Sequence, residues 1–168
     1  MRQAVLFTVA IAICTLSAEA RADDCAVVFK AYTDLSAVPN YASTVTQAGM
    51  TMKAVVIGET VYANADGQWT KVPLKAGGRL GMLKSFVPEA GSLQDCKAGA
   101  ADEIDGKAMA TYSYVVPVPE KMKAFAGPDA DKPQTVWIGV DDGLPYRMVA
   151  GGDLELTVTY DRVVAPIP

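Results

Sequence analysis

Apolar and polar side chains alternate most clearly in two stretches of the second half of the chain. Leu156 and Val158 alternate with polar neighbours between residues 154 and 161, and Tyr112 and Tyr114 do so between residues 111 and 116. A period of two is typical of a β-strand with one buried face. The pattern therefore predicts amphipathic strands in both places.

Several further stretches rich in β-branched and aromatic residues are separated by short turn signals. Ala48-Gly49, Asp66-Gly67, Asp102–Gly106 and Asp141–Gly143 are such signals, because Gly and Asp accommodate the backbone of tight hairpins. The pattern predicts eight or nine strands with hairpin connections, which favours an antiparallel meander. The main predicted strands are Thr44–Gln47, Met52–Ile57, Glu59–Ala63, Gln68–Val72, Gln94–Ala101, Lys107–Pro117, Thr135–Val140, Leu144–Ala150 and the stretch from Leu154.

Helical spacing occurs in two segments. Within residues 26–38, Val28, Tyr32 and Leu35 recur on one helical face, and a proline follows. Residues 79–86 predict a second, shorter helix, whereas residues 121–133 predict a loop or a short helix followed by a loop. The predicted fold class is therefore α+β, with two short helices to cover the apolar face of the sheet.

The N-terminal segment has the features of a cleavable signal peptide. Arg2 precedes an apolar stretch, Ala4–Leu16, that is too short to span a bilayer, and Ala20 and Ala22 lie at cleavage-site spacing. We expect cleavage after Ala22. The alternatives are an uncleaved anchor helix and a lipoprotein signal at Cys14, but the residue before Cys14 is not small.

Cleavage would leave residues 23–168 as a single domain with its own core. Their net charge is near −5 and they contain no basic cluster. Such a domain is not expected to bind nucleic acid or an anionic membrane surface. No later apolar run is long enough to span a membrane, so the expected location is the periplasm, with secretion as the second choice.

Two cysteines, Cys25 and Cys96, remain after cleavage. In an exported domain they predict one disulfide, which the chain-entropy model credits with about 4 kcal/mol. Two free thiols and a metal pair are the alternatives. A metal pair would lack partner ligands, because the chain contains no histidine.

The absence of histidine also removes the usual catalytic triads. Two carboxylate pairs, Asp129/Asp131 and Asp141/Asp142, lie in predicted turns, where solvated aspartates are the ordinary interpretation rather than acid–base catalysis or Ca²⁺ binding. No glycine-rich loop has the context of a phosphate site. We therefore predict no enzyme activity, no catalytic residues, no cofactor and no metal.

Several segments resemble the periplasmic lipoprotein-carrier-like (LolA/LppX-like) family. They are Glu59–Tyr62 with Asp66–Trp69, Val136–Gly139 with Gly143–Arg147, and Thr159–Asp161. The resemblance implies a curved antiparallel sheet, an unclosed half-barrel, lidded by helices, with acyl chains bound between them. No position matches the basic residue that helps carriers hold lipoprotein, so the resemblance implies a general pocket for hydrophobic ligands.

The resulting hypothesis is a soluble periplasmic binder or carrier of a lipid or another hydrophobic ligand. The alternative is a non-enzymatic module on the same fold that senses envelope stress or binds another envelope protein. An apolar cavity between the sheet and the helices would favour the carrier hypothesis. A solid interior with an exposed apolar patch would favour the interaction module. The residues predicted to line the cavity are Tyr112, Tyr114, Trp137, Met148, Leu156 and Val158.

Overall fold

The computed structural model describes residues 22–83, 87–89, 91–118, 132–151 and 153–168. Almost all of the predicted signal peptide lies outside these ranges. So do the end of the second predicted helix and most of the predicted loop over residues 121–133.

Helix α1 spans Ala22–Leu35 and lies across one face of the sheet. Its buried side chains, Val28, Ala31, Tyr32 and Leu35, follow the i, i+3, i+4, i+7 spacing of an amphipathic helix. The helix begins and ends a few residues earlier than predicted. It ends at Leu35 because the amides of residues 36–38 donate to carbonyls three residues back, which tightens the chain into turns.

Within the described residues, ten antiparallel strands form one sheet, and the turns predicted from glycine connect three of its hairpins. Ala48-Gly49, Asp66-Gly67 and Asp105-Gly106 all have positive φ, as two-residue type I′ turns require. The strands are β1 Asn40–Gln47, β2 Met50–Ile57, β3 Thr60–Ala65, β4 Gln68–Pro73, β5 Gln94–Ala98, β6 Asp102–Ile104, β7 Lys107–Val115, β8 Gln134–Gly139, β9 Pro145–Ala150 and β10 Leu154–Thr159.

The strands are arranged in two meandering runs that meet in the middle of the sheet. The order is β4-β3-β2-β1-β10-β9-β8-β7-β5, and β6 also pairs with β7. The first and last strands are therefore neighbours, with Ala42 opposite Thr159 and Thr46 opposite Glu155. The predicted α+β class, with a curved and unclosed antiparallel sheet, is confirmed. The joining of the two runs by β1 and β10 is an addition to the predicted meander.

Strand β6 is the element that the sequence pattern missed, because residues 102–106 were all assigned to a turn. Strands β5 and β6 both pair with β7, and the pairing is interrupted at residues 99–101 between them. At that break the Gly99 amide donates to the Thr111 carbonyl at 2.7 Å, and Thr111 Oγ1 donates to the Ala100 carbonyl at 2.6 Å. A Cβ on residue 99 would lie 2.4 Å from Thr111 Oγ1, so the close approach requires glycine.

Among the described residues, the buried apolar side chains of the helices and of the sheet face beneath them form two groups, which we call the first and second clusters. The first cluster lies under α1, and the second lies toward β1, β2 and β10. The first comprises Val28, Ala31, Tyr32, Leu93, Cys96, Tyr114, Val136 and Ile138, and the second comprises Leu35, Tyr41, Val56 and Val158.

The predicted disulfide is confirmed. Cys25 in α1 is bonded to Cys96 in β5, with their Cα atoms 5.2 Å apart. The bond fixes the helix to the edge of the sheet where the first cluster lies.

The second helix, α2, spans Gly78–Leu83 in the described part of the chain and contributes Met82 to the surroundings of the second cluster. Arg79 connects it to the end of α1, because its Nη1 donates to the carbonyls of Ser36 and Val38 at 2.8 and 2.9 Å. Within the described ranges, neither helix is long and apolar enough to cross a membrane.

Candidate functional site: an apolar recess between helix and sheet

The face of the sheet that α1 covers, here called the inner face, carries an apolar row that crosses six strands. Residues directly opposite one another on paired strands share a face, so the strand register defines the row. In order across β7, β8, β9, β10, β1 and β2, it consists of Tyr112, Val136, Met148, Leu156, Val45 and Met52.

An apolar recess of about 310 Å³ opens on this face, at the boundary between the two clusters. Its size is at the lower end of the range typical of small-molecule pockets, roughly 300–1,000 Å³. Helix α1, the segment after α2 and four neighbouring strands contribute to its walls. The lining residues are Tyr32, Val87, Pro88, Tyr114, Val116, Gln134, Met148 and Leu156.

Five of the six residues predicted to line a cavity lie on the inner face, and three of them line the recess. Tyr114, Met148 and Leu156 form part of its wall. Tyr112 packs beside the first cluster, and Val158 is buried within the second. These two residues flank the recess without lining it.

Trp137 lies on the opposite, outer face of the sheet, which corrects its predicted place in the cavity. It alternates with Val136 and Ile138, both of which belong to the first cluster. The guanidinium of Arg147 stacks over the indole at 4.6 Å from a ring centroid, and Nε1 donates to Asp102 Oδ2 at 2.8 Å. This hydrogen bond is the main reason that the pKa of Asp102 is lowered.

The recess also contains residues that the sequence prediction missed. Val116 continues the alternation of Tyr112 and Tyr114, and Tyr32 belongs to the buried stripe of α1. Both had a periodic signal that could have pointed to the site. Val87 and Pro88 had none, because they come from an irregular segment.

Two tyrosine hydroxyl groups meet in the wall of the recess. Tyr32 and Tyr114 have their hydroxyl oxygens 2.7 Å apart and their rings edge to face, with centroids at 6.4 Å. Burial raises the pKa of Tyr32 to about 12, and the pKa of Tyr114 is also raised, by burial first and by the neighbouring Tyr32 second. Both phenols are therefore neutral at physiological pH.

A larger cavity, of about 580 Å³, lies elsewhere, and its lining mixes charged side chains with apolar and aromatic ones. Its basic residue Lys107 donates to Asp161 at 2.9 Å and to the hydroxyl of Tyr146 at 3.0 Å, and Arg147 pairs with Glu155 at 2.7 Å. The pKa of Lys107 is raised mainly by its hydrogen bond to Tyr146, and its hydrogen bond to Asp161 is the second largest cause. Both cations are thus already engaged by protein groups, and the charged side chains in the walls make this cavity less suited to an apolar ligand than the recess is.

Asp142, from one of the carboxylate pairs noted in the sequence, has a local structural role. Its Oδ1 accepts a hydrogen bond from the Leu144 amide at 3.0 Å, and its Oδ2 accepts one from the Tyr146 hydroxyl at 2.6 Å. An aspartate that bonds to the backbone two residues ahead is a common turn-forming arrangement. Among the described residues, no group of three or more acidic or cysteine side chains could hold a metal ion.

No protein-family model and no curated protein sequence matches this chain. Several solved structures do match its fold, among them two mycobacterial proteins. LprF from Mycobacterium bovis has a TM-score of 0.54 and 14% sequence identity, over 89% of this chain and 98% of LprF. The Mycobacterium tuberculosis lipoprotein LppX has a TM-score of 0.56 and 14% identity, over 85% of this chain and 97% of LppX. The predicted LolA/LppX-like fold is therefore confirmed.

Proposed function

We propose that this chain is exported and that its domain over residues 23–168 binds an acyl chain or a similar hydrophobic ligand in the apolar recess. The protein would act in the periplasm as a binder or carrier, without enzymatic chemistry, after removal of residues 1–22. The observation that carries the proposal is the recess itself, which separates two clusters that could otherwise have packed against each other.

The composition of the recess supports an apolar ligand. Val87, Val116, Met148 and Leu156 present hydrocarbon or thioether surface. Transfer of apolar ligand surface from water is favourable by about 25 cal/mol per Å². Methionine adapts its shape at low energetic cost, which suits a wall that must fit a flexible chain.

The direction of the apolar row supports a chain-like ligand rather than a compact one. From Leu156 the row continues through Val45 to Met52, whose side chain is 55% exposed. An acyl chain that starts in the recess would find further apolar surface along these strands. The confirmed LolA/LppX-like fold agrees with this proposal, because acyl-chain binding is what the resemblance implies.

A pair of tryptophan substitutions on adjacent residues of β10 tests the proposal. Leu156→Trp fills the recess, whereas Thr157→Trp places the same indole on the outer face, where residue 157 is exposed. We expect the wild-type protein to take up the fluorescent apolar probe N-phenylnaphthylamine and a fluorescent diacyl lipid. Leu156→Trp should weaken uptake at least tenfold, and Thr157→Trp should leave it unchanged.

Two results would contradict the proposal. One is a wild-type protein that takes up neither probe and carries no lipid in native mass spectrometry after gentle purification. The other is a Leu156→Trp variant that is folded and binds both probes as well as the wild type does.

A second candidate function, binding of another envelope protein, is favoured by the exposed end of the inner face. Met50 and Met52 are 68% and 55% exposed on β2, which is unusual for apolar side chains so close together. Site-specific photo-crosslinking in cells can separate the two functions. A protein crosslink from residue 52 but not from residue 53, whose side chain faces the other way, would support the interaction module.

A further inference from the structure

The two hydroxyl groups of Tyr32 and Tyr114 carry two hydrogens, and only one of them can lie between the two oxygens. The oxygens are 2.7 Å apart, so one hydroxyl donates to the other. The second hydrogen must point elsewhere. Among the described residues, neither hydroxyl has any other hydrogen-bond partner.

This remaining donor is buried at the wall of the recess. Tyr32 is 6% exposed and Tyr114 is 1% exposed, and both side chains line the recess. A buried donor without an acceptor is energetically unfavourable, and native proteins rarely leave one. An acceptor on a bound ligand would remove this penalty.

The surroundings of the pair define the chemistry of that acceptor. Among the described residues that line the recess there is no lysine or arginine, so an ionised carboxylate would have no countercharge from them. A neutral carbonyl oxygen accepts a hydrogen bond without this cost. Gln134 lies directly opposite Tyr114 on β8 and also lines the recess, which places an amide with its own N–H donors beside the pair.

The tyrosines remain donors over the whole physiological range. Burial raises the pKa of Tyr32 to about 12, and it raises that of Tyr114 as well. Neither phenol loses its proton near neutral pH, so the donor is always present.

We infer that the Tyr32–Tyr114 hydroxyl pair is a hydrogen-bond site for a neutral carbonyl oxygen, and that the recess therefore selects acyl esters over free fatty acids and plain hydrocarbons. This inference rests on the proposed function and specifies its ligand. The acyl chain occupies the apolar part of the recess, and the ester carbonyl accepts from the pair.

Three probes with matched chains test the inference at pH 8: methyl palmitate, ionised palmitate and hexadecane. The wild-type protein should bind methyl palmitate about five- to tenfold more tightly than hexadecane, as expected for one hydrogen bond between neutral groups. Palmitate should bind more weakly than the ester. A carbonyl-labelled ester should show its C=O stretch at lower frequency when bound.

The double variant Tyr32→Phe/Tyr114→Phe removes both hydroxyl groups and keeps both rings. Because neither partner is left unpaired, the variant should fold, which near-UV circular dichroism can verify. It should bind hexadecane like the wild type but lose the ester preference and the frequency shift. The matched control is Tyr112→Phe, on the same strand and face as Tyr114 but outside the pair. This variant should keep the ester preference and the frequency shift.

The possible failures are distinguishable. If the wild type binds none of the three probes, the proposed function is wrong. If it binds hexadecane and methyl palmitate equally, or if the double variant keeps the ester preference, only the carbonyl site is wrong. Preference for palmitate over the ester would also overturn it, because an anion would then be accepted in the recess.

Discussion

The first and second clusters lie on the same face of one sheet but are covered very differently. The first is covered by the 14 residues of α1, which the Cys25–Cys96 disulfide fixes to β5. The second is covered by the end of α1 and by α2, which has six residues and is connected by Arg79. The apolar recess lies between them, with Tyr32 on one side and Leu156 on the other.

This difference indicates how a ligand larger than the recess of about 310 Å³ could be accommodated. Local opening is easiest where few buried contacts and short elements hold the chain. We therefore expect the wall beside the second cluster to move when a ligand binds, while the wall beside the first cluster keeps its shape. The carbonyl site inferred above belongs to the rigid wall, where its geometry would be preserved.

The largest expected effect follows from removal of the disulfide. The bond closes a loop with a sequence separation of 71 residues, so Cys25→Ala/Cys96→Ala should lower the free energy of unfolding by about 4 kcal/mol. Denaturant titration of the variant and the wild type measures the difference. Reductant should destabilise the wild type by a similar amount and leave the variant unchanged. A loss below about 1 kcal/mol would mean that the helix holds the first cluster without the bond.

A matched pair of leucines compares the clusters directly. Leu93 belongs to the first cluster and Leu35 to the second, and each is 8% exposed. Leucine-to-alanine substitutions in a core cost about 2–5 kcal/mol, and they cost least where the surroundings can relax. We expect about 3–4 kcal/mol for Leu93→Ala and about 2–3 kcal/mol for Leu35→Ala in thermal and denaturant unfolding. Equal or reversed losses would contradict the difference in rigidity.

Arg79 tests the connection of the short helix to the rest of the fold. Arg79→Lys keeps the charge but loses the planar group that contacts two carbonyls, and should cost about 1–2 kcal/mol. Hydrogen exchange should become faster in α2 and in the second cluster, but not in β7. Lys75→Ala, at an exposed position nearby, is the control and should change little. Uniformly faster exchange would indicate that the clusters are not separate units.

Local patterns predicted the elements of the fold because each depends on neighbouring residues. The helical spacing of Val28, Tyr32 and Leu35 and the alternation of Tyr112 and Tyr114 follow from backbone geometry alone. The pairing of β1 with β10 could not be predicted in this way, because it joins segments more than a hundred residues apart. Strand β6 was missed because a three-residue strand beside a turn has almost no periodic signal.

The site was predictable only in part, for the same reason. The alternation of their strands was enough to put Tyr114, Met148 and Leu156 on the inner face, where they line the recess. The partnership of Tyr32 with Tyr114 spans 82 positions and depends on how α1 crosses the sheet. Trp137 was predicted to line the cavity, although its alternation with Val136 and Ile138 already put it on the other face from them.

The smallest expected effect comes from substitution of Trp137, which tests whether the ligand binds on the inner face or on the outer face. Trp137→Phe weakens the stacking with Arg147 between two half-buried side chains, and should cost no more than about 1 kcal/mol. It also removes the hydrogen bond to Asp102, so the pKa of that carboxyl should rise, which NMR titration can follow.

The pH dependence of this effect has a definite sign. A carboxyl whose pKa is lowered in the folded state stabilises the fold above its unfolded pKa and loses that contribution as the pH falls through its folded value. The stability difference between the wild type and Trp137→Phe should therefore shrink below about pH 4. Uptake of the apolar probe should be the same in both proteins at neutral pH. If Trp137→Phe instead abolished uptake while the protein stayed folded, the ligand would bind on the outer face, and the contrast between the two clusters would have no bearing on function.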